Sequence, residues 1–239
     1  MTATESFPDF SRAPNIADNP ETYERENEAI DPSRALWRAL RDEADWSGRT
    51  LVDLGRGTGF WLSRYVSGPH AAERVIGVEP DPDLRSRAAL RMDGLEVLAG
   101  SAEHVPLPDA SVDVVHARFA YFFPPDCEPG LREVLRIPRP GGTLVVIDND
   151  WRHGEFAELL RASAWARAQG TAVSTDAWWA DRAARRIEVM SSWRCSDPAE
   201  LESVLRIEFP ARIVDEWVRD HPGRCDLSYG YVLFSFARE

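Results

Sequence analysis

The sequence predicts an α/β protein built on a mostly parallel sheet, and three observations carry that prediction. Short apolar, β-branched runs alternate with segments of helical apolar spacing through residues 50–147, which sets helices between parallel strands and covers the sheet on both faces. A glycine-rich loop stands where the first of these runs hands over to a helix. An acid closes the second run.

Taken in order, residues 1–30 are rich in Pro, Asn and acid, with apolar residues too scattered to define a face. They are expected to form an arm laid over the domain or partly disordered. A single domain is expected over residues 31–239, its core at about 50–150 and a substrate-side and C-terminal part at about 151–239. Asp31-Pro32 supplies an N-cap and a proline at the first helical position, and Ala35, Leu36 and Leu40 follow at helical spacing up to about Ala44. Residues 50–54 read as a strand, and Phe60, Trp61, Leu62 and Tyr65 as the helix after the loop. Strands are expected at 74–78, 95–99 and 111–116, with a helix at 82–91. Leu131, Val134 and Leu135 mark a helix, Pro140-Gly141-Gly142 breaks it, and residues 143–147, the most apolar strand, should be central or nearly so. Beyond Trp151 the chain turns to helix formers and tryptophan, with Phe156, Leu159 and Leu160 on one helical face. Asp197-Pro198-Ala199-Glu200 has the form of a capping box before Leu201, Val204 and Leu205. Residues 187–193 and 227–236 read as the last strands.

Composition narrows the function. The 239 residues carry 28 basic and 40 acidic side chains, a formal charge of −12, which argues against nucleic acid or an anionic membrane surface as partner. Every basic residue is arginine, so Schiff-base, P-loop and kinase lysine chemistry are excluded. Cys127, Cys195 and Cys225 are widely spaced, and neither a disulfide framework nor a metal site is expected. No apolar run approaches the roughly 20 residues of a membrane helix, and a cytoplasmic protein is expected.

The loop Asp53-Leu54-Gly55-Arg56-Gly57-Thr58-Gly59 lets backbone N–H groups approach a ligand closely, whether a dinucleotide, a phosphate or an adenosyl cofactor. A dinucleotide fingerprint would need glycine at Phe60, and the charge of Asp53 opposes a phosphate. About two dozen residues beyond the first glycine, Val75-Ile76-Gly77-Val78-Glu79-Pro80 is an apolar strand ending in an acid, a spacing that sets Glu79 beside the loop.

In these segments the chain resembles the class I S-adenosylmethionine-dependent methyltransferases, whose first motif is an apolar strand ending in DxGxGxG. The resemblance extends through Ser101-Ala102-Glu103, Ser111-Val112-Asp113-Val114-Val115 and Arg139-Pro140-Gly141-Gly142, covering roughly residues 51–147. It implies a Rossmann-like three-layer sandwich on a seven-stranded, mostly parallel sheet with an antiparallel last strand, matching residues 227–236. It also implies that Asp53, Gly55, Arg56, Gly57 and Gly59 build the cofactor loop and that Glu79 binds the ribose of S-adenosylmethionine. Pro80 and Asp81 would lie near the adenine, with Ser101, where the family has aspartate, Ala102 and Glu103. Arg118 or Phe119 would touch the cofactor. Tyr23 lies where relatives fold a helix over the cofactor, and would approach its carboxylate.

The implied reaction is in-line methyl transfer to O, N or C of a small-molecule acceptor, leaving S-adenosylhomocysteine. Such a transfer needs positioning and exclusion of water more than a protein nucleophile. Ligands bind at the carboxyl ends of the strands, which nominates His116, Arg118, Phe119, Tyr121 and Phe122 after the fourth strand and Asp148, Asn149, Asp150, Trp151 and His153 after the fifth. Among these, His153 is the first candidate for a general base, with a surface histidine as the alternative reading. Asp150 would orient a base or a cationic substrate, or cap a helix, and His116 would act as a base or pack within a strand. The aromatic residues Trp151, Phe156, Trp165, Trp178, Trp179 and Trp193 would wall a substrate pocket or fill the core. Two further readings stay open: a non-catalytic adenosyl-binding or regulatory protein, and an NAD-dependent Rossmann oxidoreductase, whose loop spacing is not met. Oligomeric state is not fixed by the sequence.

Overall fold

A computed structural model of the chain describes residues 7–91, 96–163 and 172–239. Seven strands form one sheet: β1 (Thr50–Leu54), β2 (Arg74–Glu79), β3 (Glu96–Ala99), β4 (Val112–Arg118), β5 (Pro138–Asn149), β6 (Arg185–Arg194) and β7 (Asp226–Ala237). Their order across the sheet is β3-β2-β1-β4-β5-β7-β6. The first five strands run parallel, and β7 lies antiparallel between β5 and β6. The chain therefore has the Rossmann-like α/β fold that the alternating runs predict, with the last strand inserted as the resemblance implies.

Alternation along the strands divides the core in two. Leu51, Val75, Val114, Val145, Ile147 and Leu233 point to one face, where α3 (Ala35–Glu43), α4 (Leu62–Tyr65), α7 (Glu155–Ala162), α9 (Pro198–Glu208) and α10 (Ala211–Asp220) contribute Leu36, Leu62, Phe156, Val204 and Val214. Val52, Ile76, Val115, Val146 and Phe234 point to the other face, under α6 (Glu128–Val134) and α8 (Ala172–Ala180). Within this second core Trp179 stacks on Phe234 with ring centroids 5.0 Å apart. Among the described residues no helix is long and apolar enough to cross a membrane.

Several elements differ from their sequence reading. Residues 14–29 are helical, as α1 (Pro14–Asp18) and α2 (Pro20–Ala29), although their apolar residues mark no face. What α2 buries is mostly polar, Glu26 and Asn27 beside Ala29: Trp61 Nε1 donates to Asn27 Oδ1 at 3.1 Å, and Glu26 packs beneath the helix beside α9. The following helix starts at Ala35, not after Asp31. Ser191 Oγ donates to Asp31 Oδ1 at 2.6 Å and the Trp37 N–H to Oδ2 at 3.2 Å, so the expected cap residue is drawn to β6. α6 ends at Val134, and β5 runs from Pro138 through the Pro140-Gly141-Gly142 segment. At α9 the cap holds: the Glu200 N–H donates to Asp197 Oδ1 at 2.9 Å, while Glu200 Oε2 accepts from the Ser196 N–H.

Leu233 is wholly buried on β7, whereas Leu90 at the end of α5 (Pro82–Ala89) is 87% exposed. Leu233→Ala is expected to lower the unfolding free energy in denaturant titration by about 2–5 kcal/mol. Leu90→Ser should stay within about 0.5 kcal/mol of the parent. Equal losses at both positions would contradict the placement of β7.

Candidate active site

The carboxyl ends of β1, β2, β4 and β5 open into a cavity of about 920 Å³. At that size it lies near the upper end of the range for small-molecule sites. One end is walled by Gly55, Arg56 and Gly57 after β1, by Glu79, Pro80 and Asp81 after β2, and by Ser101 and Ala102 after β3. Arg118, Phe119 and Tyr23 line the middle, and Trp151, Phe156, Trp193 and Tyr229 the other end.

The loop has to be glycine at its first two glycine positions. Gly55 has φ +64°, and a Cβ there would stand 2.4 Å from Ala120 Cβ; Gly57 has φ +58°, and its Cβ would stand 2.7 Å from Ile16 Cδ1. Glu79, 3% exposed, fixes the loop from β2: its Oε2 accepts from the Gly57 N–H at 2.7 Å and its Oε1 from the Asp81 N–H at 3.0 Å. Each carboxylate oxygen keeps a further lone pair, so the group can still take two hydroxyl donors from a vicinal diol. Burial pushes this carboxyl up to about 7, against the two N–H bonds and the Arg56 charge that lower it. The Arg56 guanidinium lies buried against Gly77, where a Cβ would stand 2.2 Å from Arg56 Cδ, and none of its three nitrogens has a hydrogen-bond partner among the described residues. Burial lowers it to about 10, while Glu79 and Asp53 hold its charge. These features fit the adenosyl cofactor named by the resemblance: a diol-competent acid beside glycines whose missing side chains leave the backbone open.

Not every nominated cofactor residue reaches the cavity. Asp53 is buried at the end of β1, where burial pushes its carboxyl up to about 6 while Arg118 and Arg56 pull it down. Gly59 does not line the cavity either; its Cβ would stand 2.7 Å from Ala88 Cβ, so it serves helix packing. Glu103 is turned away, accepting from Tyr121 Oη at 2.6 Å and donating its N–H to Asp9 Oδ2. Asp81 reaches the wall but caps α5, accepting from the Asp83 and Leu84 N–H groups, and pairs with Arg12 at 3.5 Å. Phe119 and Tyr121 hold φ of +49° and +60°, a strained backbone for bulky residues, at the cavity wall.

The candidate bases also lie elsewhere. His116 faces the core from β4, wholly buried, with Nδ1 3.0 Å from Tyr65 Oη and the Trp46 ring edge-on; burial lowers its pKa to about 3. Strand register puts it beside Asp53, and it does not line the cavity. Asp150 and His153 pair with each other at 2.7 Å, and neither lines the cavity, because the Asp150 N–H bonds Gly230 O and turns the chain over β7. Asp150, His153 and Glu188 bring three possible ligand atoms within 4.8 Å of one another. Arg186 lies 2.6 Å from Glu188 and 3.9 Å from Asp150, so the cluster's charge is already met by arginine. Of the aromatic set, Trp178 and Trp179 belong to the second core, and Trp165 lies outside the described residues.

Three further acids line the cavity, of which Asp148 is among the residues nominated after the fifth strand and Glu26 and Glu208 are not. Asp148, at the end of β5, is pushed up to about 6 by burial. Glu26 of α2 and Glu208 of α9 are held close together, both raised, chiefly by burial. Asn15 Nδ2 donates to Glu208 Oε1 at 2.7 Å. No local pattern marks Glu26 and Glu208, because only the packing of α2 on α9 brings them together.

Comparison with known proteins agrees with this architecture. Residues 52–146 match the family described as a methyltransferase domain. An uncharacterized methyltransferase of Mycobacterium ulcerans is 36% identical over 119 residues, 48% of this chain and 45% of that protein. A malonyl-acyl-carrier-protein O-methyltransferase of Serratia marcescens is 30% identical over 123 residues, 52% of this chain and 46% of that protein. The chain thus spans less than half the length of these relatives. The crystal structure of YcgJ from Bacillus subtilis superposes with a TM-score of 0.58 at 17% identity, covering 87% of this chain and 99% of that one, and shows the shared fold. Residues 52–146 are thus similar to a methyltransferase domain, and the fold around them is that of methyltransferase structures.

The folded pKa of Glu79, about 7, stands above its ordinary 4.5, so the folded state binds more protons between those values. The stabilisation is full below 4.5 and is lost as pH rises through about 7. The melting temperature of the ligand-free protein should fall across that window, less steeply in Glu79→Gln. An unchanged slope in the variant would mean that Glu79 is not held in this state.

Proposed function

We propose that this protein transfers a methyl group from S-adenosylmethionine to a small-molecule acceptor, and that the cavity described above holds both. The observation that carries the reading is the continuity of one cavity from the loop–Glu79 end to an aromatic end, since in-line transfer needs donor and acceptor in one space. When bound, the cofactor would supply an electrophilic methyl on a sulfonium. The chain's own part would be binding and orientation. Glu79 would accept the ribose hydroxyls on the lone pairs that Gly57 and Asp81 leave free. Gly55, Arg56 and Gly57 would carry the backbone against the cofactor's amino-acid end, with Tyr23, Arg118 and Phe119 beside them, while Pro80, Asp81, Ser101 and Ala102 would flank the adenine. Asp53, Gly59 and Glu103 would act from behind, by charge and by packing. Asp148, ionising near neutrality, would be a better placed general base than His153, His116 or Asp150 because it lines the cavity and they do not.

Calorimetry tests the reading. The folded protein should bind S-adenosylmethionine and S-adenosylhomocysteine, and not NADH. Gly57→Val, strained in backbone and pressed on Ile16, should weaken that binding by at least about tenfold, as should Glu79→Ala, which removes a charged acceptor. No binding by the folded parent protein would refute the proposal. Binding without turnover over a broad acceptor panel would favour the non-catalytic adenosyl-binding alternative.

A further inference from the structure

The acceptor end of the cavity holds an unusual pair of acids. Glu26 is 7% exposed and lines the cavity, and its Oε2 is buried without a hydrogen-bond donor among the described residues. The group it faces, Glu208, is itself an acceptor, already holding Asn15 Nδ2 at 2.7 Å. A buried carboxyl group facing a half-buried one finds its donors in a shared proton, in water entering the cavity, or in a ligand that brings N–H groups. Both carboxyls are raised by burial, which fits a shared proton when no ligand is bound.

The surroundings favour a cation. Glu208 is the last residue of α9, where the helix dipole presents its negative end. Tyr229 and Trp193 stack 5.1 Å apart at 16°, with Phe156 4.2 Å from the Tyr229 ring, an electron-rich wall for the organic part of a cationic ligand. Asp148 adds a third acid near Tyr229. The charged and titratable groups that feel the pair include Tyr23 on α2, Arg118 on β4, Cys195 just after β6, and Tyr229 and Tyr231 on β7. Arg118 is the cation among them, and it is engaged, lying 4.0 Å over the Trp61 ring with Nη1 3.5 Å from Asn27 Oδ1. This end belongs to the β5-β7-β6 side of the sheet, opposite the β2 and β3 ends that carry Glu79 and Ser101.

We propose that the acceptor is a small organic amine bound as its ammonium ion, whose N–H groups donate to the carboxyls of Glu26 and Glu208 while its hydrocarbon or aryl part lies on Phe156, Trp193 and Tyr229; methylation at that nitrogen requires that it first pass one proton to the carboxyl pair, which frees the lone pair that attacks. The proposal rests on reading this cavity as a joint cofactor and acceptor site.

The test compares two probes of one shape, phenethylamine and 2-phenylethanol, titrated calorimetrically into protein saturated with S-adenosylhomocysteine. The amine should bind at least about tenfold more tightly than the alcohol, since a buried ion pair with two hydrogen-bonded carboxyls is at stake. Glu208→Gln and, separately, Glu26→Gln should abolish that preference and leave S-adenosylhomocysteine affinity within about twofold, which also shows that the variants are folded. Equal binding of amine and alcohol, no binding of either, or a preference that survives both substitutions would overturn the proposal. A fall in S-adenosylhomocysteine affinity in the glutamine variants would overturn it too, because the pair would then serve the cofactor's own ammonium group. Failure of the parent protein to bind S-adenosylhomocysteine at all would instead defeat the methyltransferase reading on which the proposal stands.

Discussion

Burial of the Glu79 carboxyl organises the ligand end of this molecule. A carboxylate out of water is costly unless hydrogen bonds meet it, and here backbone donors meet it from two directions. The Gly57 N–H ties it to the loop after β1 and the Asp81 N–H to the turn that starts α5. One side chain thereby holds the ends of two neighbouring parallel strands in a fixed relation. Asp81 extends the arrangement by capping α5 and pairing with Arg12 of the N-terminal segment, which brings that segment over the loop. Beneath the loop the Arg56 guanidinium occupies the space that Gly77 leaves open, and Asp53 and Glu79 sustain its charge. The glycines are therefore explained twice, by the backbone angles of the loop and by what presses on it.

The sheet order then separates two chemistries. Strands β3, β2 and β1 carry the glycine loop, the acid and Ser101, while β5, β7 and β6 carry Asp148, Tyr229 and Trp193. β4 lies between and supplies Arg118, whose charge reaches Asp53, Tyr23 and Glu26 together. Inserting β7 antiparallel beside β5 sets Tyr229 and Tyr231 next to the end of β5, and Asn149 Oδ1 accepts from Tyr229 Oη. The aromatic end of the cavity is thus built from parts of the chain that meet only once the last strand is in place.

How much of this could be read beforehand follows from the range of the interactions involved. Strands β1 to β5 were legible because a buried parallel strand is a local apolar run, and the loop and Glu79 because their spacing follows from two adjacent strand ends. The start of α3 was not, since Asp31 meets a partner on β6, and α1 and α2 were not, since each buries a single apolar residue, Ile16 and Ala29, while Glu26 and Asn27 find their places only against α9 and Trp61. Strand-end reasoning also brought in His116, Asp150 and His153, because it finds a position along the strand without finding the face. His116 alternates onto the core side next to Tyr65, and Asp150 and His153 follow the chain out over β7. Glu26 and Glu208 carry no local signal, being brought together across almost the whole sequence by helix packing.

The proposed adenosyl site around Glu79 is tested most directly by a crystal structure of the protein with S-adenosylhomocysteine. The ribose hydroxyls should donate to the Glu79 carboxylate while its bonds from Gly57 and Asp81 persist, with the adenine beside Ser101 and Ala102. Ligand bound elsewhere, or ribose turned away from Glu79, would contradict it.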